Sequence, residues 1–137
     1  MTQAWLTYPT AALLALCAAG CEVHTYSSGY QGGPYDGTLT IDWSLDDSFD
    51  PDACDDYDAR YTELILYDGR DEVAHVQTRC EDFDVSIDLP DGVYSLDATL
   101  LDHDDRPVTT SLALDDIDVY EDDETRISID FPLASRL

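Results

Sequence analysis

"DFDVSIDLPDGVYSLDATLL", residues 82–101, keeps a strict alternation on both sides of a single turn. Phe83, Val85, Ile87 and Leu89 take one set of positions and Asp82, Asp84, Ser86 and Asp88 the other, the period of a strand with one face on a core and one in water. Pro90, Asp91 and Gly92 supply a turn, after which Tyr94, Leu96, Ala98 and Leu100 resume the apolar series. The pattern predicts two strands joined as a hairpin. Upstream, "TLTIDWSL" at 38–45 repeats it, with Leu39, Ile41, Trp43 and Leu45 alternating with Thr40, Asp42 and Ser44. Further strands are expected at 61–67, at 73–78, at 108–114 with a continuation at 117–120, and at 126–131, where Ile127, Ile129 and Phe131 point inward. About seven short strands with turn signals between them and no helical period predict an all-β antiparallel sandwich, immunoglobulin-like or prealbumin-like.

The chain has 137 residues, room for one such domain and a leader. Its net charge of −25 comes from 31 Asp and Glu against 6 basic residues, all of them Arg. A surface of that sign repels nucleic acid and anionic headgroups, so cations are its natural counterpart and nucleic acid is not an expected partner.

The segment "LLALCAAGCEVH", residues 13–24, is apolar and ends at a cysteine. The apolar core Ala11 to Ala19 falls well below the roughly 20 residues of a membrane-spanning helix. Small residues Ala18, Ala19 and Gly20 lead into Cys21, which is a cleavage pattern. The stretch resembles a bacterial lipobox, with Ala18 where the consensus prefers Leu and with no Lys or Arg in "MTQAWLTYPT" before it. That resemblance implies that residues 1–20 are a lipoprotein signal peptide and that Cys21 becomes an acylated first residue. Two or more acyl chains hold a protein on a bilayer stably where one is marginal. Glu22, in place of the Asp that often signals inner-membrane retention, implies the outer membrane, and the domain is expected in the cell envelope, facing the periplasm or the surface. Residues 21–37, rich in Gly, Ser and Tyr, are expected to act as the lipidated tether, and residues 38–137 as the acidic sandwich. Tyr26, Tyr30 and Tyr35 in the tether could stack on sugars, although a spacer with these residues accounts for them as well.

Cys54 and Cys80 remain as one pair once Cys17 leaves with the leader and Cys21 is acylated, and an oxidising compartment would join them. The bridge would stabilise the fold by roughly 3 to 4 kcal/mol in the chain-entropy model. "GTLTIDWSL", "DPDAC", "CEDF", "LPDGVYSLDATLLD" and "ISIDFP" together resemble small secreted or lipidated domains of myxobacteria and related predatory or marine bacteria, over roughly Gly37 to Pro132. "LPDGVYSL" is also similar to the turn and strand of prealbumin-like and carboxypeptidase-regulatory-like sandwiches. These resemblances imply a fold and a compartment and carry over no catalytic residue.

Aspartate on outward strand positions is costly, because Asp disfavours strands and like charges facing across a sheet destabilise it. High external salt would screen the repulsion. Bound calcium would neutralise it, with candidate ligands Asp46, Asp47, Asp50, Asp52, Asp55, Asp56 and Asp58 in one loop and Asp102, Asp104 and Asp105 in another. No EF-hand spacing occurs: Cys54 stands where a third carboxylate belongs, and no Gly or closing Glu follows at the required positions. No cofactor is required by this reading, and calcium is the one the loops could hold. His24, His75 and His103 are scattered, and neither a nucleophile elbow nor a phosphate-binding glycine loop is present. The sequence therefore leads to a noncatalytic envelope lipoprotein that meets other envelope proteins. A calcium- or glycan-binding module, with Trp43, Tyr61 and Tyr67 as aromatic candidates, is the alternative. A metal-dependent hydrolase built on His103, Asp102 and Asp104 is the third reading.

Overall fold

The computed structural model describes residues 36–137; the leader, Cys21 and most of the expected tether lie outside the described residues. Seven strands and one short helix follow in the order β1 (Asp36–Leu45), α1 (Pro51–Asp56), β2 (Tyr61–Asp68), β3 (Asp71–Arg79), β4 (Asp84–Pro90), β5 (Gly92–Leu101), β6 (Leu112–Val119) and β7 (Glu124–Phe131), with single 3-10 turns at Cys80–Asp82 and Leu133–Ser135. β1 begins two residues ahead of the expected strand, so Asp36 and Gly37 pair with Pro90 and Leu89.

The strands form two sheets, ordered β4-β1-β7 and β3-β2-β5-β6, and the chain is a β-sandwich. All pairs are antiparallel except β1 with β7, which runs parallel from Thr38 opposite Glu124 to Leu45 opposite Phe131. A constant-type immunoglobulin sandwich pairs its first strand with its second and its third with its sixth. Here the first strand pairs with the fourth and seventh, and the second with the third and fifth. This order is not that of a constant-type immunoglobulin sandwich.

The expected hairpin at 82–101 does not form. β4 pairs with β1 and β5 with β2 and β6, so the chain changes sheets across Asp91 alone. Alternation fixes which residues face the core but not which strand lies alongside, and two strands on opposite sheets share one core. At the corner the Tyr94 hydroxyl donates to the Pro90 carbonyl at 2.7 Å, and Pro90 ends its strand with no N–H to offer.

Two further local differences have physical causes. The helix α1 was invisible to periodicity because six residues are too few to display it, yet its start is written in the sequence. Asp50 caps it by accepting from the Asp52 amide at 3.0 Å, and Pro51 opens the first turn. The expected strand pieces at 108–114 and 117–120 become one strand, β6, that starts at Leu112. Its register against β5 shifts between Tyr94 and Leu96, leaving Asp115 and Asp116 as a bulge with Asp116 at φ 57°. The segment before β6 is tied instead to β5 and to the C-terminal turn, through Val108 N–H to Leu100 O at 2.9 Å and Thr110 N–H to Ser135 O at 2.8 Å.

The core collects the inward residues read from the alternation, Leu39, Ile41, Trp43 and Leu45 from β1, Leu96 and Leu100 from β5 and Phe131 from β7, and adds Leu64 and Leu66 from β2; all are essentially inaccessible. Burying each large aliphatic side chain contributes about 1.5 to 3 kcal/mol. Buried polar ends find partners. Trp43 Nε1–H donates to the Cys80 carbonyl at 2.9 Å, and the Tyr57 hydroxyl donates to the Phe131 carbonyl at 2.8 Å. Gly37 allows the close passage of the 120–123 turn: a Cβ there would land on the carbonyl oxygen of Tyr120.

The outward face of the three-stranded sheet shows how carboxylates are tolerated on strands. Asp42 stands directly opposite Asp84, and Arg126 from β7 grips both oxygens of Asp42 at 2.9 Å. Hydroxyls separate the others: Thr38 donates to Asp88 at 2.9 Å, Thr40 meets Ser86 at 2.8 Å, and Ser44 donates to Asp130 at 2.7 Å.

Thr62 is the exception among the described residues, a fully buried side chain whose hydroxyl has no hydrogen-bond partner. Replacing an unsatisfied buried hydroxyl by a methyl group removes a desolvation penalty of about 1 to 3 kcal/mol. Thr62→Val is therefore expected to raise Tm by several degrees in a domain of this size, roughly 4 to 8 °C per kcal/mol. A fall in Tm in a circular dichroism melt would mean that the hydroxyl is satisfied in solution.

Candidate functional site

Both aspartate-rich loops lie at the end of the sandwich where β1 and β5 finish and β2 begins. The first loop, 46–60, leaves β1, forms α1 and returns to start β2. The second, 102–111, leaves β5 and reaches β6. They meet the same backbone: Arg60 N–H donates to Leu101 O at 2.7 Å, and Cys80 N–H donates to Arg60 O at 3.0 Å.

The disulfide Cys54–Cys80 ties α1 to the turn after β3, with Cα atoms 6.1 Å apart. Both cysteines are buried. It joins two of the connections that carry the chain between sheets, α1 between β1 and β2 and the turn between β3 and β4. Beside it lies a shallow cleft of about 130 Å³ lined by Pro51, Asp52, Asp55, Ala59, Arg60, Arg79 and Glu81 as well as the cystine. Arg79 is held by Glu81, and by Asp82 at 3.8 Å, so the cleft presents carboxylates and guanidinium groups together.

The candidate ligands divide by what they do locally. Asp46 and Asp47 sit in the turn after β1 at φ 49° and 60°, and Asp58 sits after α1 at φ 55°. Asp50 caps α1, Asp52 occupies its first turn, and Asp55 and Asp56 close it. Asp105 adopts φ 59° in the second loop. Among the described residues, the non-glycine residues with positive φ are Asp46, Asp47, Asp58, Phe83, Asp105, Asp116 and Asp122, six of them aspartates. Asp and Asn enter this left-handed region far more readily than other side chains with a Cβ. In this chain aspartate does the turn work usually given to glycine. That role was missed in the sequence reading, although the coincidence of Asp with the breaks between alternating runs carried the signal.

Asp102 organises the second loop. Its Oδ1 accepts from the amides of Asp104 at 2.8 Å and Arg106 at 3.0 Å. The hydrogen bond from the Arg106 amide, helped by that from Asp104 and by the positive charge nearby, holds its carboxyl below the ordinary aspartate range. Asp102, His103 and Asp104 offer ligand atoms within 4.8 Å of one another. His103 Nε2 lies 3.3 Å from Asp104 Oδ2, and its side chain is 80% exposed. Among the described residues no carboxylate from the 46–58 loop joins this group. The structure thus brings together three consecutive residues of one loop and keeps the other candidate ligands apart from them.

The remaining candidates fall elsewhere. Trp43 is fully buried and belongs to the core. Tyr61 and Tyr67 both point outward from β2, partly covered, with Glu63 and Ile65 between them. His75 lies on the same face, its Nε2 2.9 Å from Glu63 and its Nδ1 3.8 Å from Glu72. Burial first, and then the nearby charge of Asp46 and Asp130, raises the pKa of the Tyr57 hydroxyl above its usual value, consistent with a phenol that stays protonated to hold Phe131.

A scan against models of protein families finds no match, and a search of curated proteins finds no significant relative.

The depressed Asp102 carboxyl gives a signed expectation. Its hydrogen bonds contribute stability that is present above the ordinary aspartate value and is lost as pH falls through the lowered one. A carboxyl-detected NMR titration should place the Asp102 midpoint below the ordinary aspartate value, and Asp102→Ala should free the Asp104 and Arg106 amides to exchange faster with solvent. A midpoint at or above the ordinary value would contradict the hydrogen-bonded loop.

Proposed function

We propose that the protein is a noncatalytic lipoprotein of the cell envelope, held to a membrane through Cys21 and presenting an acidic β-sandwich to other envelope proteins. The observation that carries this reading is the Cys54–Cys80 disulfide at the junction of the two sheets, which suits an oxidising compartment and agrees with a leader that ends at a lipobox-like cysteine. The carboxylates add to it. Many of those outside the strands serve as caps and turn residues, which leaves a negatively charged surface with its charge directed to solvent.

Calcium binding is the second reading, and the Asp102–His103–Asp104 group is what favours it. Against it stands the use of Asp102 Oδ1, which already accepts two amides, and calcium needs six to eight oxygens. Melting in millimolar CaCl₂ is therefore expected to match melting in NaCl of equal ionic strength. A saturable extra rise in Tm with Ca²⁺ would put the binding module first.

Anchoring is tested by growing cells that express the full chain with an alkyne-bearing fatty acid and following the label. The wild-type chain is expected to carry label and to sediment with membranes, and Cys21→Ser to lose both. Label that persists in Cys21→Ser, or a wild-type chain that is soluble and unlabelled, would remove the anchor from the reading.

A further inference from the structure

We propose that β7 is a pairing edge for a second copy of this chain, joining the two three-stranded sheets into one continuous sheet about a two-fold axis at Ser128. β7 ends its sheet, and among the described residues no strand pairs with its outer edge. The parallel ladder with β1 runs from Glu124 to Phe131 without a shift and shows which backbone groups are free. The carbonyls of Asp123 and Phe131 accept from the amides of Thr38 and Asp46, both at 2.9 Å. In a strand the N–H and C=O of one residue point to the same side and those of the next residue to the other. The odd-numbered residues therefore bond to β1, and Arg126, Ser128 and Asp130 turn their N–H and C=O groups away from it. The Glu124 amide is taken by the side chain of Asp123 at 2.9 Å. The other edges suit strand addition less. β3 bulges at Val73, since Leu66 faces Ala74 but Tyr67 faces Glu72, and β6 bulges at Asp115–Asp116; bulges turn an edge away from a partner. β4 carries Asp84 and Asp88 with no cation and ends on Pro90.

The outward charges of β7 are of both signs, Glu124, Arg126 and Asp130. An antiparallel pairing centred on Ser128 sets Arg126 opposite the partner's Asp130 and Asp130 opposite the partner's Arg126. These are the residues whose backbone groups are free, so each such pair, and Ser128 with the partner's Ser128, exchanges N–H···O bonds across the junction. The same register sets Ile127 opposite the partner's Ile129; Ile129 is buried and Ile127 packs against the core, so the apolar layer continues from one copy to the next. Charge selects this register. A centre at Ile127 sets Glu124 opposite the partner's Asp130, and a centre at Arg126 sets Arg126 opposite the partner's Arg126, both repulsive. One self-complementary arrangement thus satisfies backbone, charge and face at once, as an isologous contact requires. Arg126 already holds Asp42 and Glu124, and its five N–H donors leave capacity for a further carboxylate. Asp130 uses Oδ1 to accept from Ser44 and the Asp47 amide, which leaves its Oδ2 for the partner's Arg126.

The inference does not rest on the lipid anchor, and the test removes that anchor. Sedimentation equilibrium of the full chain carrying Cys17→Ser and Cys21→Ser should give a dimer whose fraction rises from low to near-molar NaCl, as screening relieves the repulsion between two copies of net charge −25. Ser128→Pro removes an N–H that faces away from β1, where an edge strand tolerates proline. It should leave the domain folded by its Tm and the chain monomeric. At about 0.15 M NaCl, where close pairs persist, Arg126→Asp should weaken the dimer about tenfold, as two attractive contacts become repulsive. Arg126→Asp combined with Asp130→Arg should restore it, while Tm shows both variants folded. Register is read by mild oxidation. Ser128→Cys should cross-link to itself, because hydrogen-bonded residues directly opposite lie about 5.5 Å apart, a distance a disulfide spans. Ser95→Cys, on β5 of the other sheet, should not. A chain that stays monomeric at every salt concentration, or a dimer indifferent to Ser128→Pro, charge reversal and cysteine position, would overturn the proposal whether or not Cys21 is acylated.

Discussion

The rest of the structure depends on β1 being paired along both edges while its inner face is buried completely. Leu39, Ile41, Trp43 and Leu45 fill the middle of the core, and the same ten-residue strand is hydrogen-bonded to β4 on one side and β7 on the other. With both edges occupied by strands remote in sequence, β1 dictates where the fourth and seventh strands must lie. That requirement pulls β4 away from β5, its neighbour in sequence, and separates the chain into two sheets. The Trp43 indole extends the same control to the opposite end, since it donates to the Cys80 carbonyl and so positions the turn that the disulfide secures.

Strand content was legible because alternation is a direct imprint of a half-buried sheet. Each inward residue named on β1, β4 and β5 faces the core. The partner of each strand was not legible, because a residue facing a shared core leaves the same pattern from either sheet. The corner at Asp91 is the clearest case: Pro-Asp-Gly reads as a turn, and it is one, but it turns the chain across the sandwich. The disulfide was legible from cysteine arithmetic once Cys17 and Cys21 were set aside. The helix α1 was not, being a single capped turn with no period to detect.

Acidity was read as a property of the surface and turns out to be partly a property of the backbone. Asp46, Asp47, Asp58, Asp105, Asp116 and Asp122 adopt left-handed conformations, and Asp50 and Asp102 accept backbone amides. Seen residue by residue, the loops that looked like two cation cages are mostly turns whose geometry suits a short polar side chain. What remains concentrated is one exposed group, Asp102, His103 and Asp104. Where aspartate is abundant, its count says little about a site, and the hydrogen bonds each carboxylate already makes say more.

The first described strand is also the middle strand of its sheet. A pull delivered to the domain through Asp36 would run down the axis of β1, against its hydrogen bonds to β4 and β7 at the same time. Bonds loaded along the strand share the force and must yield together, whereas an edge strand pulled from its end would open one bond after another. The connection between the sandwich and whatever precedes it is thus placed where the domain resists being drawn apart most firmly.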